Sequence, residues 1–234
     1  MGIEKTVKPT IHHSPMLLQL AVDLTDQTVV LDLLDQVADQ VDIIEVGTPL
    51  LIKSGVRIIS TLKAAYPDKR ILADLKIMDA GGQESALAFD AGADIVTVLG
   101  LAHEATMLDA MAQAHRADGL IMADMIAAPD VTSRARALDA MGVDMICLHT
   151  AYDVQAQGVN PVNDIQKVKS VTQQTTLAIA GGIDPVTLTA VIPFAPDIIV
   201  VGGFITTHAD PCRAVQNIRA VMDTASKPAR GNEP

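Results

Sequence analysis

The sequence predicts a single-domain (β/α)8 barrel, on three observations. Eight short apolar runs recur along 234 residues, their starts about 20 to 30 residues apart, which is the length of a strand, a helix and two short loops. The runs are continuously apolar rather than alternating, as strands buried on both faces are. Polar residues with chemical capability collect at the C-terminal ends of different runs, the ends that a barrel gathers around one mouth. A doubly wound open sheet is the competing architecture; it would spread the same residues along an edge and across a switch point.

The first run, Leu17–Val22, ends at Asp23, and Val29, Leu33, Leu34 and Val37 then follow at i, i+4, i+5 and i+8, as on a helix face. The second, Ile43–Val46, carries Glu45. The third, Ile71–Leu75, holds Asp74, with Lys76 next and Asp79 beyond it in a turn that Gly81 and Gly82 can form. Alternation along the strand puts Asp74 and Lys76 on one side and Leu75 on the other. Leu87, Phe89 and Ala91 read as helix before the turn Gly92-Ala93-Asp94 and the fourth run, Ile95–Leu99. The fifth, Leu120–Ala123, ends at Asp124. The sixth, Met145–Leu148, ends at His149 and a polar turn from Thr150 to Gly158. Gly181-Gly182 follows the seventh run, Leu177–Ala180, and Gly202-Gly203 follows the eighth, Ile198–Val201.

These units assign residues 16–223 to the barrel, Met1–Pro15 to an N-terminal extension and Thr224–Pro234 to a loose tail. A net charge of -11 and a pI near 4.8 argue against a nucleic-acid partner, which requires clustered Lys and Arg. No apolar run reaches the roughly 18 residues of a membrane helix, and Met1–Pro15 lacks the apolar core of a secretory signal, so a cytoplasmic setting away from membranes is expected. Cys147 and Cys212 lack metal-site spacing and are expected as reduced thiols without a functional role.

Asp23, Glu45, Asp74, Asp79 and Asp124 bring up to five carboxylates toward one mouth. Two such charges about 4 Å apart repel by about 4 kcal/mol at an effective dielectric of about 20, so positive charge has to sit among them. Lys76 supplies one. A divalent cation is the natural second, and an all-oxygen set of carboxylates and water favours Mg²⁺ over Zn²⁺. His149 at the same mouth suits general acid-base work near neutral pH. The two glycine pairs let backbone N–H groups approach an anion, in the loops where barrels frequently hold phosphate.

With these residues in place, the chain resembles the orotidine 5'-monophosphate decarboxylase suprafamily, and within it the branch holding 3-hexulose-6-phosphate synthase and 3-keto-L-gulonate-6-phosphate decarboxylase. The resemblance runs from about Leu17 to about Val221 and rests on Leu18-Gln19-Leu20-Ala21-Val22-Asp23, Ile43-Ile44-Glu45-Val46-Gly47-Thr48-Pro49, Asp74-x-Lys76-x-x-Asp79, Ala91-Gly92-Ala93-Asp94 to Gly100, and Ala180-Gly181-Gly182. It implies a homodimer of barrels with shared active sites and a sugar-phosphate substrate. Glu45 and Asp74 would bind Mg²⁺, Asp23, Lys76, Asp124 and His149 would surround the reacting carbons, and Asp79 would enter the partner's site. Gly182, Gly202 and Gly203 would hold the phosphate.

The resemblance further implies lyase chemistry through an Mg²⁺-stabilised enediolate, formed by loss of CO₂ in the decarboxylase and by removal of a proton from ribulose 5-phosphate in the synthase. The decarboxylases usually carry Glu where this chain has Asp124, Arg at Tyr152, Thr at Ala180 and Arg at Gly203; this sequence departs from that pattern at all four. The preferred expectation is therefore aldol addition of formaldehyde to ribulose 5-phosphate, an aldehyde-lyase activity, with His149 as base and Lys76 stabilising the enediolate or shuttling a proton. The carboxy-lyase is the alternative, and a non-catalytic sugar-phosphate-binding barrel is the distant one.

Overall fold

The computed structural model describes residues 16–155 and 162–225. Among them, eight parallel strands close into a barrel in sequence order, with β1 paired to β8. The strands are β1 (Leu17–Val22), β2 (Ile43–Val46), β3 (Arg70–Ile77), β4 (Ile95–Leu99), β5 (Leu120–Asp124), β6 (Met145–His149), β7 (Thr176–Ala180) and β8 (Ile198–Val201). Around them lie α1 (Gln27–Val37), α2 (Thr48–Ser54), α3 (Arg57–Ala65), α4 (Gly81–Asp90), α5 (Glu104–Arg116), α6 (Val131–Met141), α7 (Tyr152–Gln155), α8 (Val162–Lys169), α9 (Pro185–Val191), α10 (Gly203–Thr206) and α11 (Pro211–Ala225). Among the described residues no helix is long and apolar enough to cross a membrane.

The continuous apolar runs are explained by two separate apolar layers. Ile43, Leu72, Ile95, Leu120, Met122, Met145, Ala178, Ile198 and Val200 form a cluster made of strand residues alone, the barrel interior. Their neighbours Leu20, Ile44, Ile71, Val96, Ile121, Ile146, Ile179 and Ile199 meet the helices. Period-two alternation therefore persists, but both faces are dry.

Four aspartates that look like loop acids in the sequence pin the base of the barrel. Asp42, Asp94, Asp144 and Asp197 each precede an even-numbered strand and accept a backbone N–H from the strand before it: Leu18 at 2.8 Å, Ile71 at 2.7 Å, Ile121 at 3.0 Å and Leu177 at 2.8 Å. Staggered parallel strands leave such donors without a neighbour's carbonyl, and the carboxylates satisfy them.

Several local expectations are corrected. The buried stripe of α1 is Val30, Leu33, Leu34 and Val37, while Val29 is 49% exposed, because i, i+3, i+4 and i+7 make the narrower helical face. Leu87 likewise faces out and Phe89 is buried. Gly81 and Gly82 open α4 rather than shape the turn, which is made by Ala80 in the left-handed region, φ 51°. The last helix continues through Thr224 and Ala225, two residues assigned to the loose tail. The rest of that tail, 226–234, and Met1–Pro15 lie outside the described residues, as do residues 156–161, which include the end of the polar turn after His149.

The largest local difference is in β3. Ala73 pairs with Val96 and Ile77 with Val98, so four residues of β3 advance over only two of β4. The bulge places Lys76 in the left-handed region at φ 49°. Asp74 and Lys76 do share a side, but a bulge, not simple alternation, puts them there.

Candidate active site

Asp74 is the hub. Its Oδ1 accepts from the Thr97 hydroxyl at 2.8 Å and from Lys76 Nζ at 3.0 Å, and its Oδ2 accepts from Lys76 Nζ at 2.8 Å and Thr48 Oγ1 at 2.9 Å. Thr97 Oγ1 also accepts the Lys76 backbone N–H at 2.9 Å, tying the strained bulge to the same carboxylate. Lys76 Nζ reaches on to Asp124 Oδ2 at 2.9 Å, and Asp124 in turn faces His149 Nδ1 at 3.0 Å. The Ile126 N–H donates to Asp124 Oδ1 at 2.9 Å. One chain of contacts thus runs from β3 through β5 to β6.

Burial works against charge at Lys76 and Asp124, and their neighbours hold each of them charged. At Lys76 the nearby Asp74 and Asp124 overcome desolvation and raise the ammonium well above its ordinary range. Burial would raise the Asp124 carboxyl, but His149 and Lys76 bring it down to about 2. Lys76 is therefore a fixed positive charge rather than a proton acceptor near neutral pH.

Glu45, on β2, is 8% exposed and hydrogen-bonded by Gln19 Nε2 at 2.7 Å. Burial first, then repulsion from Asp74, pushes its carboxyl far above the usual range. Asp23 stands open at the rim, beside Gly47 and Gly202; desolvation and the charge of Asp74 raise it too. Gly47 is required there, since a Cβ would lie 2.1 Å from Asp23 Oδ1 and 2.7 Å from the Val22 carbonyl.

Two buried carboxylates that offer only oxygen donors, with Asp74 disfavouring the charge of Glu45, fit a hard divalent cation whose remaining ligands would be water and substrate. Glu45 and Asp74 are the residues that could hold it. Among the described residues no group of three or more His, Cys, Asp or Glu makes a closed protein cage for a metal. Lys76 Nζ and the Thr97 hydroxyl donate to the Asp74 carboxylate, and the Thr48 hydroxyl is shared between that carboxylate and the Asp74 backbone carbonyl at 2.7 Å, so a cation at Asp74 would compete with these donors.

The structure thus gathers Glu45, Asp74, Lys76, Asp124 and His149, with Asp23 at the rim. Gly182 lies beyond β7, and Gly202 and Gly203 begin α10 beyond β8. Gly181 has φ 95°, and a Cβ would stand 2.2 Å from the Thr150 carbonyl, so the β6 and β7 loops touch only because it is glycine. Asp79 is exposed and accepts its neighbour Ala80's N–H at 2.8 Å; its own chain does not bring it into the cluster. Cys147 and Cys212 are both free, and burial drives the Cys147 thiol upward, away from nucleophilic use. The sequence reading overlooked Gln19, Thr48 and Thr97. Gln19 and Thr97 carried a signal, each a lone polar residue in the inward phase of an apolar run.

Comparison with known proteins identifies the family and agrees with the barrel fold. The profile of the orotidine 5'-phosphate decarboxylase / HUMPS family matches residues 16–218. A 3-hexulose-6-phosphate synthase of Bacillus subtilis is 43% identical over 207 residues, covering 88% of this chain and 99% of the relative. The crystal structure of the 3-hexulose-6-phosphate synthase of Salmonella typhimurium superposes with a TM-score of 0.87 at 42% identity, over 90% of this chain and 100% of that one. That of a 3-keto-L-gulonate-6-phosphate decarboxylase from Vibrio cholerae gives 0.81 at 27% identity, over 91% and 99%. Eight parallel strands, the acid cluster at their C-terminal ends and a match across the barrel place this chain in the orotidine 5'-phosphate decarboxylase / HUMPS family.

Proposed function

We propose that the protein catalyses aldol addition of formaldehyde to ribulose 5-phosphate, giving 3-hexulose 6-phosphate. The carrying observation is that Asp124 grips both Lys76 and His149 through one short carboxylate. An ionised Asp124 accepts Nδ1–H of His149, which leaves the Nε2 lone pair free to act. Nε2 takes a proton from C1 of ribulose 5-phosphate, and the electron pair becomes the enediolate. C1 then attacks the carbon of formaldehyde, and the proton passes from Nε2 to the new alkoxide, so six carbons are joined with nothing released. The Lys76 ammonium stabilises the negative oxygen that develops beside it. When bound at Glu45 and Asp74, Mg²⁺ supplies Lewis-acid stabilisation of the same charge. Backbone N–H groups at Gly182, Gly202 and Gly203 hold the phosphate. The 43% identity to a named synthase supports this choice over decarboxylation, as do Asp124, Tyr152, Ala180 and Gly203.

A paired assay with Mg²⁺ tests the reading. Formaldehyde-dependent loss of ribulose 5-phosphate is expected at a much higher kcat/KM than CO₂ release from 3-keto-L-gulonate 6-phosphate; the reverse order would assign the decarboxylase.

The same reading includes a cytoplasmic homodimer in which Asp79 serves the neighbouring site. Exposed apolar side chains on the elements flanking Asp79 support a partner surface there: Ile52, Met78, Leu87, Leu101 and Leu108. Mixing inactive Asp79→Asn with inactive Lys76→Ala subunits should then restore activity, since a heterodimer has one site with both native residues. Demonstrated subunit exchange without recovery would rule out a shared site.

A further inference from the structure

Beneath the acid cluster the barrel interior holds a polar residue that the chemistry above leaves unused. Gln19 on β1 is 1% exposed, in the inward phase with Leu17 and Ala21. Its Nε2 donates to Glu45 Oε2 at 2.7 Å, one strand away. Its Oε1 is, among the described residues, the buried side-chain polar atom with no partner in the protein.

An amide in a dry interior is unfavourable when one end is left unpaired, and a Met or Leu of similar volume would fill the same space without that cost. Packing therefore does not explain the residue. Its one interaction does: among the described residues, no other donor is bonded to the Glu45 carboxylate. A carboxylate on a short strand can turn about its side-chain torsions, and a ligand to a hard cation has to present its oxygens in a fixed direction.

We propose that Gln19 is a positioning residue of the cation site, holding one oxygen of Glu45 so that the carboxylate is oriented before the cation arrives. The inference rests on the reading that Glu45 and Asp74 bind Mg²⁺. It predicts a larger effect on cation binding than on the fold. Removing the amide should weaken cation binding, while in the fold the donor lost to Glu45 is offset by removal of the unpaired carbonyl.

The test is calorimetric titration of Mg²⁺ into the wild-type protein and the Gln19→Met and Gln19→Leu variants, with a thermal melt of each in its metal-free form. The expected result is a loss of Mg²⁺ affinity of about 10- to 100-fold, the range for outer partners of metal ligands, with each metal-free variant still folded and its Tm little changed. Unchanged affinity in either folded variant overturns the assignment, and so does a variant that fails to fold, since a structural role would then account for Gln19. A wild-type protein that binds no Mg²⁺ overturns the cation site itself, an outcome distinct from the other two.

Discussion

Replacing Lys76 with alanine is expected to lower kcat/KM by about 10³-fold or more and to destabilise the fold in the same stroke. The catalytic loss follows from removing a fixed positive charge beside the developing enediolate, a contribution of about 10² to 10³ for one preorganised donor in comparable sites, with loss of order at Asp74 and Asp124 added. The stability loss follows from burial: the side chains of Asp74 and Asp124 are 7% and 4% exposed, and both lose their shared cation. Leaving a buried charge uncompensated costs about 3 to 5 kcal/mol. The pH dependence has a definite sign. Asp124, held at about 2 against an ordinary value of 3.8, contributes stability that is complete above about pH 4 and is lost as pH falls toward 2. The gap between wild type and variant in urea unfolding should therefore be widest near neutrality and narrow below pH 4. A Lys76→Ala protein with full turnover would remove the lysine from the mechanism, and one with wild-type stability at pH 7 would mean that the two carboxylates are not charged together.

How much of this was legible in the sequence depends on whether the information was local. The strands were, because a run such as Ile198 to Val201 has a dry layer on each side and so shows no polar alternation. The carboxylates and His149 were legible as a set because parallel topology brings strand ends together whatever the loops do. Their pairing was not. Asp124 and His149 belong to adjacent strands, yet in register Asp124 lies opposite Cys147, and the contact comes from side chains leaning across the mouth. The β3 bulge was hidden for the same reason: Lys76 is held in the left-handed region by a hydroxyl 21 residues away. The four basal aspartates were missed because an acid in a loop looks solvated until the strand N–H that it accepts is known. Asp79 is the opposite case, predicted from the resemblance but placed by its own chain on an exposed turn.

Asp124→Asn is expected to reduce kcat by about 10² to 10⁴ with a smaller effect on KM, because it breaks the base without changing its shape. The wild-type carboxylate accepts from Lys76 and from His149 at once. An amide has one oxygen and one NH₂ group. If the NH₂ takes the Oδ2 position that Lys76 and His149 share, it opposes the ammonium and donates to Nδ1, which forces the proton onto Nε2, the atom that should receive the substrate's proton. If the oxygen takes that position, the NH₂ opposes the Ile126 N–H at Oδ1, and the imidazolium that forms has lost the negative charge beside it. Asp124→Glu keeps the charge but lengthens the arm, so it should retain more activity than the Asn variant. Exchange of the C1 proton of ribulose 5-phosphate in D₂O, followed by NMR without formaldehyde, isolates the step. Exchange and condensation should fall together in Asp124→Asn and in His149→Ala. If either variant still exchanges the proton at the wild-type rate while condensation is lost, the base lies elsewhere, and the Asp124–His149 pair acts on formaldehyde or on the new alkoxide instead.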